Sequence, residues 1–373
     1  VQDIVKIPTV NDNEEKVADY FEKLFSQYHI TSKKVMYSPS RANLVAEIGE
    51  GKGKILALSG HMDVVSPGDE KEWKYPPFSG TITDNKLYGR GSTDMKAGTA
   101  ALAIAMIELM EEKKELNGTV RFLATVGEEI GELGAEQLTK EGYVSDINAL
   151  LIAEPTNYIL VYTHKGSINY TVTSKGKPAH SSMPEQGINS LDALVAFYTK
   201  VNEEMNRFIN STDNEELGKM IHNITVFNGG DQVNSIPGFS SLQGNIRTIP
   251  ETPNEEVIKK LKEVAETINA SSPCEVSITI DYDKYPVDSD SNSRLIQVAK
   301  SVTKNLLNKD LKTIGISGTT DGAEFMKSGA SFDFVIYGPG EPQLPHQYNE
   351  YVNLDNYLEM IDIYKEIIQE YLK

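Results

Sequence analysis

The sequence predicts an α/β fold: a mixed, mostly parallel sheet flanked by helices, with an α+β domain inserted into it. Short aliphatic strands alternate with helices in the first part of the chain and again after Tyr285, which is typical of a mostly parallel sheet. The segment between these parts follows the order β-α-β-β-α-β, which is that of a ferredoxin-like split unit. A chain of 373 residues is also longer than one hydrophobic core usually serves. We therefore predict a discontinuous first domain, residues 1–165 and 284–373, and an insert at 166–283.

The elements of the first domain follow from hydrophobic periodicity and chain punctuation. Apolar residues at Val17, Phe21 and Phe25 have helical spacing, which predicts a helix over residues 13–28. The helix that ends near Lys113 is apolar on nearly all sides and should be buried. Further helices are predicted at 293–307, near 323–328 and from 354. Strands are predicted at 43–48, 54–59, 119–126, 149–153, 312–317 and 332–337.

The pattern within the insert is different, because strands there alternate in polarity as they do in an antiparallel sheet. Its strands are predicted at 167–174, 221–227, 240–248 and 275–282, and its helices at 189–208 and 255–268.

Composition excludes several classes of partner. The formal net charge is −18, which argues against nucleic acid or an anionic membrane as a partner. A single cysteine, Cys274, excludes an intramolecular disulfide and is compatible with a reducing compartment. No apolar run has the length of a membrane span, and residues 1–10 lack the features of a secretion signal. We therefore expect a cytoplasmic protein.

Histidine and carboxylate side chains follow several predicted strands, where the chemistry of open α/β sheets collects. These candidates are His61 and Asp63, Glu128 and Glu129, Glu154, and His346, together with Asp94 in a glycine-bracketed loop. Two histidines with several carboxylates suit Zn²⁺ or a similar divalent ion. Because candidate ligands from five stretches exceed the needs of one tetrahedral site, two ions sharing a bridging carboxylate is the economical arrangement. Taken singly, each residue also fits a helix cap or a solvated loop.

Longer motifs around these residues resemble a known family. The stretches Ser59–Val65 (SGHMDVV), Tyr88–Gly98 (YGRGSTDMKAG) and Gly127–Ala135 are similar to those of the di-zinc aminoacylase/carboxypeptidase family of metallohydrolases. Further matches, at 153–155, 176–182, 234–237, 318–322 and 345–347, extend the resemblance in order over essentially the whole chain. It is strongest to the desuccinylase/deacetylase branch. The resemblance implies a zinc-peptidase-like catalytic domain with an inserted lid and dimerisation domain.

The resemblance also implies a role for each residue of the constellation. Asp94 would bridge two ions, with His61 and Glu154 completing one site and Glu129 and His346 completing the other. Asp63 would orient His61, and Glu128 would be the general base. Two adjacent glutamates at the end of a strand can diverge in this way, one toward a metal ion and one toward the attacking water.

Four residues outside the metal constellation are expected to contact the substrate. In the family pattern His180 would stabilise the oxyanion, and Arg247 would receive the substrate α-carboxylate, which a guanidinium fork suits. Asn234 and Thr320 resemble further carboxylate contacts. From position alone, His180 also fits an ordinary surface-loop histidine and Arg247 a solvated strand residue.

The reaction implied by the resemblance is zinc-dependent hydrolysis of an N-acyl amino acid. We expect N-succinyl-LL-2,6-diaminopimelate as the substrate, giving succinate and LL-2,6-diaminopimelate. The alternatives are deacylation of N-acetylornithine or another N-acyl amino acid, and a metallo-dipeptidase or carboxypeptidase activity. A non-catalytic binding protein is disfavoured because the ligands and the base are all present. We expect two zinc ions, which cobalt or manganese could replace, and a homodimer formed through the insert, with His180 acting in cis or in trans.

Overall fold

The computed structural model describes residues 1–49 and 51–373. Its contacts divide the chain into two compact units: residues 1–163, 289–314 and 320–373 form the first, and residues 164–288 with 315–319 form the second. The predicted insert, 166–283, lies within the second unit. That it folds independently and acts as a lid or dimerisation domain stays a prediction.

The described residues form helices and strands that are numbered in chain order. The helices are α1 (Gln2–Val5), α2 (Glu15–Gln27), α3 (Lys96–Glu111), α4 (Leu133–Lys140), α5 (Ser190–Ser211), α6 (Asn254–Ser271), α7 (Arg294–Leu307), α8 (Gly322–Phe325) and α9 (Leu354–Leu372). The strands are β1 (Thr31–Ser38), β2 (Arg41–Gly49), β3 (Lys54–His61), β4 (Thr81–Thr83), β5 (Lys86–Tyr88), β6 (Gly118–Thr125), β7 (Ala149–Ile152), β8 (Ile159–His164), β9 (Ser167–Lys175), β10 (Ala179–His180), β11 (Ile221–Gly229), β12 (Ser235–Ile236), β13 (Phe239–Arg247), β14 (Glu275–Lys284), β15 (Lys312–Ile316), β16 (Asp333–Ile336) and β17 (Tyr351–Asn353).

The larger sheet has the strand order β1-β2-β6-β3-β7-β16-β8-β15. Its four central strands, β6, β3, β7 and β16, are parallel, whereas β1 and β2 pair antiparallel on one side. Within this centre Leu58 of β3 lies opposite Phe122 on one neighbour and Leu151 on the other, and all three are buried. The predicted mixed, mostly parallel sheet flanked by helices is confirmed.

Helix α3 is buried over most of its length, as its composition predicts. It packs against β3, β6 and α9, and its residues from Lys96 to Ala103 are all buried. A helix that is apolar on all sides can be accommodated only where other elements surround it. Of the helices in the described part of the chain, none is long and apolar enough to cross a lipid bilayer.

The second unit contains a four-stranded sheet in the order β11-β13-β9-β14, with every neighbouring pair antiparallel. Helices α5 and α6 pack together, and their apolar residues, including Phe197 and Leu261, share a core with Tyr170 of β9 and Leu242 of β13. In chain order the elements are β9-α5-β11-β13-α6-β14, so the predicted ferredoxin-like arrangement is confirmed. The small strands β10 and β12 pair beside this sheet.

Candidate metal centre

The order of the parallel strands brings the predicted ligands to one edge of the larger sheet. His61 is the last residue of β3, Glu129 lies in the turn after β6, and Glu154 follows β7 by two residues. The chain after β16 leads to His346, and Asp94 lies just before α3. Because β6, β3, β7 and β16 are adjacent and parallel, their carboxyl ends meet at the same edge.

The carboxylate of Asp94 lies between the two histidines. Its Oδ1 atom is 3.1 Å from Nε2 of His61, and its Oδ2 atom is 3.4 Å from Nε2 of His346. The two oxygens therefore face different rings, as they would in a carboxylate that bridges two ions. The group His61, Asp94 and Glu129 offers one ligand atom each within 4.8 Å of one another.

Each histidine has one further carboxylate on its own side. Oε1 of Glu154 is 3.5 Å from Nε2 of His61, and the two oxygens of Glu129 are 3.0 and 3.2 Å from Nε2 of His346. Two groups of three result, and they share Asp94. We call them the His61 site (His61, Asp94, Glu154) and the His346 site (Asp94, Glu129, His346).

The donor atoms have the separation that a metal ion requires. Ligand atoms about 2.0–2.1 Å from a tetrahedral zinc ion are about 3.3 Å apart. The nitrogen-to-oxygen distances of 3.0–3.5 Å in both sites lie around that value. Both histidines present Nε2, and mixed imidazole and carboxylate donors suit Zn²⁺. The residues therefore fit divalent ions at both sites.

The electrostatics of the cluster favour a bound cation. Burial lowers the pKa of His61, but the carboxylates of Glu154, Asp63 and Asp94 outweigh burial and raise it well above 6.5. Hydrogen bonds with Asp94 and Glu129 raise the pKa of His346 to about 10. The carboxylates thus favour positive charge at both rings. A divalent cation binds neutral imidazole, so it would replace the ring protons as the source of positive charge.

Asp63 organises both the histidine and the paired glutamates. Nδ1 of His61 donates to the backbone carbonyl of Asp63 at 3.0 Å, which leaves Nε2 unprotonated toward Asp94 in the neutral ring. The carboxylate of Asp63 is 3.5 Å from that Nδ1, and its shorter contacts are with two backbone N–H groups. These belong to Glu128 and Glu129, each 3.1 Å away. The closest contact of His61 Nδ1 is thus with the Asp63 backbone, while the Asp63 side chain bonds to the glutamate turn, and the orienting role of Asp63 stays a prediction.

Glu128 is half-buried, and burial raises its pKa well above 4.5. Glu154 and Asp321 also raise this pKa, whereas His61 lowers it. The turn that contains Glu128 and Glu129 begins at Gly127, which has a φ of 65°. A side chain at Gly127 would also approach Nη2 of Arg41 to 2.7 Å, so glycine suits this position. A carboxyl with a raised pKa next to a metal site is suited to exchanging protons near neutral pH.

The first turns of helix α3, which follow Asp94 in the chain, lie close to the edge of the sheet. A Cβ atom at Gly98 would lie 2.0 Å from the carbonyl oxygen of Ala153, the residue before Glu154. A Cβ atom at Gly60 would lie 2.3 Å from Oγ1 of Thr99. These two glycines therefore permit the close packing that brings Asp94 to His61 and Glu154.

Buried charged residues around the site were not assigned roles from the sequence. Glu350 is buried and accepts hydrogen bonds from the backbone N–H groups of Thr93 and Asp94. Lys96 is buried, donates to the carbonyls of Ile4 and Ile7, and has a pKa that burial lowers to about 7. In the sequence, both residues lie within or close to a motif and only a few residues from a predicted ligand. That proximity is the sequence feature that could have indicated a role for them. Their burial could not be read from the sequence.

The predicted substrate residues lie apart from the ligands in the chain. His180 and Asn234 are neighbours, because β10 pairs with β12 and the N–H of Ser181 donates to the carbonyl of Asn234. Arg247 is the last residue of β13 and lies opposite Ile221. Thr320 belongs to the first unit, where it is buried and its hydroxyl accepts from the N–H of Gly322. Contact of these four with substrate stays a prediction.

Comparison with known proteins now identifies the family. The model of peptidase family M20/M25/M40 matches residues 57–370, a span that includes every ligand of both sites. The chain belongs to this family. The resemblance drawn from the motifs is thereby confirmed, and the protein is a hydrolase that acts on an amide bond.

Relatives of this chain include a curated protein of Staphylococcus epidermidis named a probable succinyl-diaminopimelate desuccinylase. It is 41% identical over 394 residues, which cover 100% of this chain and 96% of that protein. Among solved structures, an M20 family metallo-carboxypeptidase from Sulfolobus solfataricus is similar with a TM-score of 0.82 and 21% identity, covering 100% of this chain and 98% of that one. A Bacillus subtilis protein described as a dinuclear metal-binding peptidase of the same family has a TM-score of 0.74 and 17% identity, covering 100% and 96%. At these identities the two structures bear on the fold alone.

Proposed function

We propose that this protein is a di-metal deacylase whose His61 and His346 sites each hold one divalent ion, zinc in the first instance. The observation that carries the proposal is the carboxylate of Asp94, whose two oxygens face the Nε2 atoms of two different histidines. When bound, two such ions would polarise the substrate carbonyl and lower the pKa of water toward about 7.

Glu128 performs the proton transfers in this proposal. It accepts a proton from the attacking water and gives that proton to the amide nitrogen as the carbon–nitrogen bond breaks. Its burial and its neighbouring carboxylates support this role, because they raise its pKa and so strengthen it as a base. Asp63 supports the backbone of the turn that contains Glu128 and Glu129 by accepting the N–H of each residue.

The proposed substrate is N-succinyl-LL-2,6-diaminopimelate, and the products are succinate and LL-2,6-diaminopimelate. Full-length identity of 41% to a protein named a probable desuccinylase supports this choice. A substrate with several carboxylates also suits Arg247, Asn234 and Thr320, whose guanidinium, amide and hydroxyl groups can donate to them. Membership of peptidase family M20/M25/M40 favours a second candidate, hydrolysis of a small peptide.

We also propose that the protein acts as a homodimer through the second unit. His180 ends β10 and Asn234 precedes β12, the short strand just before the start of β13, whereas Arg247 ends β13 eight residues after Phe239. Eight residues of strand span roughly 26 Å. This separation supports an arrangement in which the two ends of the unit serve different active sites, with His180 stabilising the oxyanion of the partner's reaction.

A panel of substrates tests the proposed reaction. Metal-loaded protein is assayed with N-succinyl-LL-2,6-diaminopimelate, N-acetyl-L-ornithine and a dipeptide, and the Glu128→Gln variant is the control for activity from a contaminant. We expect kcat/KM to be highest for the succinylated substrate and to fall strongly in the variant. A higher kcat/KM for the dipeptide would reject the deacylase in favour of the peptidase. Absence of turnover for all three would reject the proposed substrate class.

A further inference from the structure

A buried ion pair connects the two ligands of the His346 site that lie farthest apart in the sequence. Nη1 of Arg90 is 2.6 Å from Oε2 of Glu350, and the two residues are 2% and 0% exposed. Arg90 lies four residues before Asp94, and Glu350 lies four residues after His346. Each member of the pair is therefore near one ligand.

The remaining hydrogen bonds of the pair go to backbone groups of those ligands and of their neighbours, apart from one longer bond from Nη2 of Arg90 to the carbonyl of Ser66 at 3.4 Å. Oε1 of Glu350 accepts from the N–H of Thr93 at 2.8 Å and from the N–H of Asp94 at 3.0 Å. Arg90 donates to the carbonyl of His346 and to the carbonyl of Gln347, both at 3.3 Å. Glu350 thus bonds to the N–H group of Asp94, and Arg90 bonds to the carbonyl group of His346.

The position of His346 depends on its backbone as well as on the contacts of its ring with Asp94 and Glu129. Its side chain is 53% exposed, so packing does not fix the ring. Its φ is 64°, in the left-handed region that non-glycine residues rarely adopt. Hydrogen bonds to the carbonyls of His346 and Gln347 stabilise that conformation, and with it the direction of the ring toward Asp94.

Joining the two segments does not require charged residues. Strands β5 and β17 already pair, with Tyr88 opposite Tyr351, and the hydroxyl of Thr93 donates to the carbonyl of Tyr351. A buried ion pair is no more stabilising than well-packed apolar residues in many proteins. What an apolar pair cannot do is accept the N–H of Asp94 and donate to the carbonyl of His346.

We propose that Arg90 and Glu350 are positioning residues, which hold Asp94 and His346 in register and thereby set the affinity of the His346 site for its ion. This inference rests on the proposed di-metal function and adds Arg90 and Glu350 to the residues that act in it. The effect is larger at the His346 site than at the His61 site, because the pair holds two ligands of the His346 site, Asp94 and His346, but only Asp94 of the His61 site. Replacing a residue that hydrogen-bonds to a metal ligand typically weakens metal binding by about 10–100-fold.

Two variants test the pair. Glu350→Gln keeps the shape, but its amide can accept hydrogen bonds at only one end, so it loses either Arg90 or the two N–H groups. Arg90→Lys keeps the charge next to Glu350 but loses the fork that reaches the two carbonyls. Glu14→Gln is the matched control, because Glu14 also forms a buried bidentate pair, with Arg41, that bonds to no ligand backbone.

The readouts are the stoichiometry and affinity of Co²⁺ binding to metal-free protein, followed by its visible absorption, together with kcat and KM at increasing metal concentration. We expect both variants to bind the second ion about 10–100-fold more weakly and the first ion with a much smaller loss, because the first site shares only Asp94 with the held segments. Added metal should restore kcat with little change in KM. The Glu14→Gln variant should bind two ions with wild-type affinity even where its melting temperature falls by a similar amount.

Each other result has a distinct meaning. Wild-type affinity for both ions in Glu350→Gln and Arg90→Lys would overturn the positioning role and leave the di-metal function intact. Equal weakening of both ions, or the same weakening in Glu14→Gln, would show a general effect of stability and would also overturn it. Binding of fewer than two ions by the wild-type protein would overturn the proposed function and this inference together.

Discussion

The adjacent residues Glu128 and Glu129 have different roles in the proposed mechanism, and conservative substitutions separate them. Glu128→Gln removes the base but keeps the shape of the side chain. Glu128 is not part of the ligand group His61, Asp94 and Glu129, so we expect both ions to remain. Loss of a general base typically lowers the rate by about 10²–10⁴-fold, which corresponds to roughly 3–5 kcal/mol in the activation barrier.

Glu129→Gln should give a different result. The two carboxylate oxygens of Glu129 lie 3.0 and 3.2 Å from Nε2 of His346, so glutamine leaves the His346 site with two charged or imidazole ligands in place of three. We expect the second ion to be lost on gel filtration in metal-free buffer. Activity should fall for that reason and return in part with excess metal, whereas Glu128→Gln should not respond to metal.

The assay combines metal content by elemental analysis with kcat and KM on the substrate that the panel identifies. Glu141→Gln is the control, because Glu141 is an exposed carboxylate of the same unit and should change neither quantity. Equal loss of metal from Glu128→Gln and Glu129→Gln would show that their roles are exchanged or shared. A wild-type kcat in Glu128→Gln would refute the assignment of the base.

Three further predictions concern metal, acid stability and assembly. A chelator should abolish hydrolysis and Zn²⁺ or Co²⁺ should restore it, with Asp94→Ala the most damaging ligand change because both sites use this residue; full activity in protein shown to be metal-free would refute this. Burial, with a smaller contribution from Arg247, lowers the pKa of His164 from 6.5 to about 4. As the pH falls, this histidine is therefore protonated in the unfolded chain before it is protonated in the folded protein, so the free energy of unfolding decreases between about pH 6.5 and pH 4. The difference of about 2.5 between the pKa values of the unfolded and folded states corresponds to roughly 3 kcal/mol in the free energy of unfolding. The melting temperature of His164→Gln should therefore depend less on pH over that range than that of the wild type. His29→Asn, which replaces an exposed histidine, is the control and should behave as the wild type does. Mixing inactive His180→Ala and Glu128→Gln under subunit exchange should restore activity if His180 acts in trans, since one site of the heterodimer is then intact; no recovery despite demonstrated exchange would place His180 in its own chain's site.

The sequence alone determined which residues could bind metal and most of the elements that carry them. Each of these features is local: a strand that ends at His61, a turn that contains Glu128 and Glu129, or a helix whose apolar surface requires burial, as α3 does. Local patterns report hydrophobic period and turn chemistry, and those properties survive without any knowledge of the fold. The order of elements in the insert was accessible for the same reason.

Strands with few apolar residues were not predicted. β1, with the sequence TSKKVMYS, lies at the edge of the larger sheet, and among its residues only Val35 is buried. An edge strand pairs on one side and needs little hydrophobic character, so its periodicity is weak. β8 was also missed, although it begins with Ile159, Leu160 and Val161, and its composition favours a strand.

The tertiary structure decided how the ligands meet and which charges are buried with them. His61 and His346 are far apart in the sequence, and only the adjacency of β6, β3, β7 and β16 brings their strand ends together. The partners of the ligand backbone, Arg90 and Glu350, look in the sequence like ordinary surface charges. Burial is a property of the whole packed chain, so it is the fold that turns these two charged residues into hydrogen-bonding partners of Asp94 and His346.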